Sequence, residues 1–110
     1  MLHNDNNNFS NSFEISGSKS ESNRLIILNS IYKNLKIDNL SNSDDTVVLL
    51  KYVNNLKNHI DISHAGTAMR FLTALLSVQK NKDFILTGSK RMKQRPIETL
   101  VDALNNLGAD

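Results

Sequence analysis

The chain has 110 residues, 39% of them hydrophobic and 22% charged, which suits one small globular domain with a real core and is too short for two. A formal net charge of +2 does not argue for nucleic acid, and the absence of cysteine removes disulfides and thiolate metal sites, the three histidines being too scattered to replace them. No apolar run approaches the roughly 18 residues that a bilayer requires, and the N-terminus lacks a signal-peptide pattern, so a cytoplasmic protein with no membrane partner is expected.

Residues 1–12 are dominated by Asn, Ser and His and read as a disordered lead-in to a domain over 13–110. Phe13-Glu14-Ile15 alternates like a short strand and delivers the chain to Gly17-Ser18-Lys19-Ser20-Glu21-Ser22-Asn23-Arg24. A helix from about Ser20 to Lys33 leaves its first backbone N–H groups without intrahelical partners, and Gly17 allows a sharp turn and close approach of a ligand. Lys19 and the serine hydroxyls add charge and donors, and Arg24 shares a face with Ser20 because i and i+4 are neighbours. The expected guest is a phosphate or carboxylate. A serine-capped helix with solvated charges is the plainer alternative. A Walker A loop is excluded, because it would need Gly-Lys followed by Ser or Thr.

The same helix is expected to bury Leu25, Leu28, Ile31 and Tyr32, with a brief strand at Leu35 and Ile37 after it. Ser43-Asp44-Asp45-Thr46 opens a second helix, the serine capping it and the carboxylates complementing its dipole, with a metal or acid/base pair at Asp44 and Asp45 as the alternative that lacks a third ligand nearby; Val48, Leu49, Tyr52, Val53 and Leu56 form its inner face. A strand at Ile60-Asp61-Ile62 leads to His64-Ala65-Gly66-Thr67-Ala68-Met69-Arg70. Thr67 is expected to cap a third helix carrying Phe71, Leu72, Leu75 and Leu76, with Gly66 offering bare backbone and Arg70 within a turn of the start. His64 is either a general acid/base or a hydrogen-bonded spacer.

Phe84 to Gly88 reads as the clearest strand, and Lys90, Arg91, Lys93 and Arg95 follow in an expected loop. That loop has no aromatic residue for base stacking, which counts against a nucleic-acid patch. Pro96 suits the first turn of a last helix with Ile97, Leu100, Val101, Leu104 and Leu107 as its buried stripe and Gly108 just past its end. Arg95 would then stand before that helix as another cation at a helix start. Composition and periodicity together give an anion-binding α/β unit whose loops form one electropositive pocket.

Gly17 through Arg24, Ser43-Asp44-Asp45-Thr46, Ala65-Gly66-Thr67-Ala68-Met69-Arg70, and Leu86-Thr87-Gly88 through Arg91-Met92 to Arg95-Pro96-Ile97 resemble consecutive signatures of the 5-enolpyruvylshikimate-3-phosphate synthase family. One such motif is weakly specific; four in the family's order, covering nearly all of 13–110, are not. The related transferases acting on UDP-N-acetylglucosamine typically have Gly-Ala-Lys-Asn where this chain has Gly-Ser-Lys-Ser. His64 and Phe71 depart from the family's usual asparagine and proline.

The resemblance implies part of an inside-out α/β barrel built from βαβαββ units. It implies transfer of the carboxyvinyl group of phosphoenolpyruvate to the 5-hydroxyl of shikimate 3-phosphate, with release of phosphate and without metal or organic cofactor. By motif match, Lys19 contacts both substrates, Ser20 and Arg24 hold shikimate 3-phosphate, and Gly66 and Arg95 hold phosphoenolpyruvate. Thr67 and Arg70 are assigned supporting roles. Family enzymes are several times longer, so the resemblance also implies that these residues alone are inactive and that the rest of an enzyme completes the site. A free-standing anion-binding module and a basic nucleic-acid-binding domain are the alternatives from other classes.

Overall fold

A computed structural model describes residues 12–110, so the expected lead-in lies outside the described residues except for Ser12. The elements are α1 (Lys19–Tyr32), α2 (Asp44–Tyr52), β1 (His59–Asp61), α3 (Gly66–Ser77), β2 (Ile85–Thr87), α4 (Lys90–Lys93) and α5 (Glu98–Asn106). This is a mixed α/β arrangement in which α1 packs on α2, α2 on α3, and α3 also on α1 and α5.

β1 and β2 pair in parallel with His59 opposite Ile85, Ile60 opposite Leu86 and Asp61 opposite Thr87. Parallel strands cannot be joined by a tight turn, and α3 supplies the crossover. The alternation expected at Ile60-Asp61-Ile62 holds: both isoleucines are fully buried and Asp61 is exposed, although the strand starts one residue earlier. Ala68, Leu72, Leu75 and Leu76 of α3 share one buried cluster with Ile60 and Ile62, to which α2 adds Leu49 and Tyr52 and its C-terminal cap adds Val53. Each fully buried Leu or Ile contributes roughly 1.5–3 kcal/mol over its exposed state.

α1 starts as expected of a Ser-capped helix, with Ser18 Oγ accepting from Glu21 N at 3.3 Å. Its inner face differs from the expected one. Leu28, Ile31 and Tyr32 are 43%, 56% and 66% exposed, while Ser22, Asn23 and Ile26 are buried. Polar bonding sets this rotation: Ser22 Oγ accepts from Ser41 N at 2.9 Å, and Asn23 Oδ1 accepts from the Thr46 hydroxyl at 2.7 Å. The apolar periodicity of α1 therefore marks a second, outward face.

α2 begins where expected, Ser43 Oγ accepting from Thr46 N at 3.4 Å. No strand forms at Phe13 to Ile15 or at Leu35 to Ile37, because the sheet of the described residues contains only β1 and β2 and offers those segments no ladder. Leu35 N instead donates to Asn29 Oδ1 at 3.0 Å.

The basic segment after β2 is a one-turn helix rather than a loop. Ser89 Oγ caps α4 by accepting from Met92 N at 3.3 Å, and buried Met92 pins it to the core. α5 starts at Glu98, two residues after Pro96, and Gly108 follows its end at φ 106°, a conformation that suits glycine. Its apolar stripe is not buried: no α5 residue is, and Val101 and Leu107 are 37% and 86% exposed. The reason is the open groove of about 420 Å³ between α3, Phe84 and α5, which leaves Val101 and Leu104 lining space.

Asn23 Nδ2 has no partner among the described residues, so Thr46 supplies the amide's one side-chain bond. Thr46→Val is expected to cost about 1–3 kcal/mol of stability in urea denaturation, the penalty of an unsatisfied buried polar group. Leu28→Ser, on the outward face of α1, is expected to stay within about 0.5 kcal/mol of the parent.

Candidate anion-binding site

Gly17 sets the start of α1 against the segment that follows it. A Cβ at Gly17 would collide with the Asn39 carbonyl oxygen, so the backbone passes there only as glycine. Asn42 N donates to Ser16 Oγ at 3.0 Å, and with the bond from Ser41 N to Ser22 Oγ this stitches residues 39–42 to the head of α1. Lys19 and Ser20 are thereby fixed at the first turn, and Ser20 and exposed Arg24 lie one turn apart along one face.

Lys19 reaches across to α2, its Nζ standing 3.1 Å from Asp45 Oδ2. The lysine side chain is 48% exposed and the carboxylate only 12%. The other oxygen, Asp45 Oδ1, accepts from Ala68 N at 2.8 Å in a buried bond. This corrects the cap expected for the third helix. α3 begins at Gly66, one residue before Thr67, with Ala65 in the cap position and no side-chain cap of its own; the missing acceptor comes from α2. Thr67 lies inside the first turn and is partly buried.

The sequence reading of Asp45, as dipole charge for its own helix or as one of a metal or acid/base pair, missed its bonds to α1 and α3. Ser43 already caps α2 and Asp44 already supplies first-turn charge, so the second aspartate was surplus to that need. That surplus was the signal.

Gly66 faces Arg95. A Cβ on Gly66 would strike Arg95 Nη1 and would lie 3.0 Å from Cζ and 3.2 Å from Met92 Cε. Arg95 follows α4, its N–H donating to Met92 O at 3.1 Å, so it serves the start of α3 rather than the last helix as expected. Arg70 donates from Nη2 to Pro96 O at 3.0 Å and ties α3 to the segment before α5. The cleft enclosed by Gly66, Met69, Arg70, Met92, Arg95 and Pro96 holds about 10 Å³, room for about one water. A carboxylate or phosphate at Gly66 therefore requires exposed Arg95 to swing outward and close over it.

The structure thus joins the head of α1 to the head of α3 through Asp45, and Arg95 to the head of α3 through Gly66. His64 is exposed between β1 and α3. Among the described residues no group of three or more His, Asp or Glu side chains is placed to hold a metal ion, and no helix is long and apolar enough to cross a membrane.

The family model for EPSP synthase (3-phosphoshikimate 1-carboxyvinyltransferase) matches residues 56–110, from the segment before β1 through α5. The chain belongs to the EPSP synthase family. A 3-phosphoshikimate 1-carboxyvinyltransferase of Bacteroides fragilis is 48% identical over 97 residues, covering 87% of this chain and 23% of the relative. That of Buchnera aphidicola subsp. Cinara cedri is 42% identical over 123 residues, covering 87% and 28%. The pentafunctional AROM polypeptide of Komagataella phaffii is 39% identical over 125 residues, covering 86% and 8%. The chain therefore spans about a quarter of the length of the bacterial family members it matches. No solved structure matches it.

The two glycines of this site predict opposite behaviour. Gly17→Ala meets a backbone oxygen that cannot give way and is expected to lose about 1–3 kcal/mol in urea denaturation. Gly66→Ala meets the far end of a flexible side chain; it is expected to cost less than about 1 kcal/mol and to shift the Arg95 side-chain N–H resonance.

Proposed function

We propose that this chain supplies part of the substrate-binding surface for transfer of the carboxyvinyl group from phosphoenolpyruvate to the 5-hydroxyl of shikimate 3-phosphate, a cytoplasmic step toward chorismate and the aromatic amino acids. Family membership and the names of the relatives support this reading. The structural observation that carries it is the joining of two cation-bearing helix starts, α1 with Lys19 and α3 with Gly66 and Arg95, through the single carboxylate of Asp45. Helix N-termini and adjacent cations favour anions, and both substrates are polyanions.

In this reading Ser20 and Arg24, exposed on one face of α1, hold shikimate 3-phosphate. Gly66 backbone and Arg95 hold phosphoenolpyruvate, and Lys19, between those regions, touches both. Thr67 and Arg70 support the second site, Arg70 through its bond to Pro96 O. Protonation of the phosphoenolpyruvate methylene makes the neighbouring carbon electrophilic, the 5-hydroxyl oxygen adds there as its proton leaves, and the tetrahedral intermediate expels phosphate while its new methyl group gives up a proton to restore the vinyl double bond. What these cations contribute is binding and stabilisation of oxyanions, through charge-assisted hydrogen bonds about twice as strong as neutral ones. The β1–α3–β2 segment fits within a βαβαββ repeat, and residues 13–110 form the N-terminal part of an enolpyruvyl transferase domain.

Titration of the 110-residue chain with shikimate 3-phosphate, followed by two-dimensional amide NMR, tests the reading. Shifts are expected around Lys19 to Arg24, and Lys19→Met is expected to weaken binding roughly 10- to 100-fold, the loss of a hydrogen bond to a charged group. Shifts confined to Lys90 to Arg95, or a spectrum that responds to DNA and not to shikimate 3-phosphate, would contradict it. The same chain mixed with both substrates is expected to release no phosphate.

A further inference from the structure

We infer that Asp45 is a positioning residue that holds the Lys19 ammonium in register with the start of α3. The inference rests on the reading of Lys19 as the group shared by the two anionic ligands, and it adds what sets that group in place.

The carboxylate is well suited to the task because it cannot itself move. Its side chain is 12% exposed, it stands in the first turn of α2, and fully buried Thr46 and Leu49 follow it on that helix. Oδ1 is committed to the buried N–H of Ala68, a donor that α3 leaves without a cap of its own. Oδ2 is then left pointing at the head of α1, where Lys19 Nζ meets it at 3.1 Å.

Lys19 needs such a partner. Its stem is flexible and its side chain is 48% exposed, so charge alone would not fix where the ammonium sits. One of the three ammonium donors goes to Asp45, and the other two remain for ligands. Asp45 is also the side chain that bonds to the heads of both α1 and α3.

Asp45→Asn separates the two duties. The asparagine oxygen still accepts from Ala68 N, while the attraction for the ammonium is lost. Nitrogen-15 relaxation of lysine Nζ groups reads Lys19 directly. In the parent chain Lys19 is expected to be more restrained than Lys36, Lys57 and Lys82, and in Asp45→Asn to become as mobile as they are, with the Ala68 amide peak little changed. A parent Lys19 as mobile as those lysines overturns the inference, whether or not the variant folds.

Shikimate 3-phosphate affinity supplies the second readout through a double-mutant cycle. Asp45→Asn is expected to weaken binding about tenfold in the parent and not at all in the Lys19→Met background. Equal tenfold losses in both backgrounds would assign Asp45 a purely structural role and overturn the inference. If the parent chain does not bind shikimate 3-phosphate, the substrate reading of the site fails, while the Lys19 relaxation still decides whether Asp45 positions it.

Discussion

The arrangement depends on a nearly buried carboxylate whose two oxygens face in different directions. A buried charge is costly unless it is paired and hydrogen-bonded, and Asp45 meets that condition only by engaging two other helices, α1 through Lys19 and α3 through Ala68 N. The packing of α2 between them follows from the same requirement. Ser43 satisfies the head of α2 locally, which leaves Asp45 available for its neighbours. Electrostatics and architecture are thus one constraint here: the bond that completes α3 also determines where a cation stands at the head of α1.

A polar seam next to that carboxylate explains the unusual face of α1. Ser22, Asn23, Ser41, Ser43 and Thr46 form a chain of short side-chain and backbone bonds between α1 and α2, and it turns Leu28, Ile31 and Tyr32 away from the core. A polar seam of this kind specifies one relative placement of the helices more sharply than apolar contact would, because each donor must meet its acceptor. The outward apolar face of α1, the uncovered stripe of α5 and the exposed Ile85 of β2 are among the apolar surfaces that the described residues leave without cover.

Much of this was legible in the sequence where a local rule governed the outcome. Ser43 as a cap, the alternation at Ile60 to Ile62, the Leu72, Leu75 and Leu76 face of α3 and Gly108 after the last helix are each fixed by a few adjacent residues. The errors share a different origin. Apolar periodicity indicates which face of α1 or α5 could be buried, but whether another element covers it is a tertiary question. Thr67 looked like a cap because the acceptor that serves α3 comes from a residue 23 positions earlier in the chain. The four basic residues after β2 looked like a loop, although a serine cap and buried Met92 wind three of them into a helical turn and leave Arg95 against Gly66. The residues named for binding came from motif likeness, whereas Asp45, which links them, was legible only as one carboxylate more than its helix required.

The central claim is that the heads of α1 and α3 form one anion-binding surface organised by Asp45. A crystal structure of the chain with shikimate 3-phosphate bound tests it most directly. The account predicts the ligand against Lys19, Ser20 and Arg24, with Lys19 still bonded to Asp45 and Asp45 to Ala68 N. A ligand seated on α4, with Lys19 turned to solvent and Asp45 bonded only to α3, would contradict it.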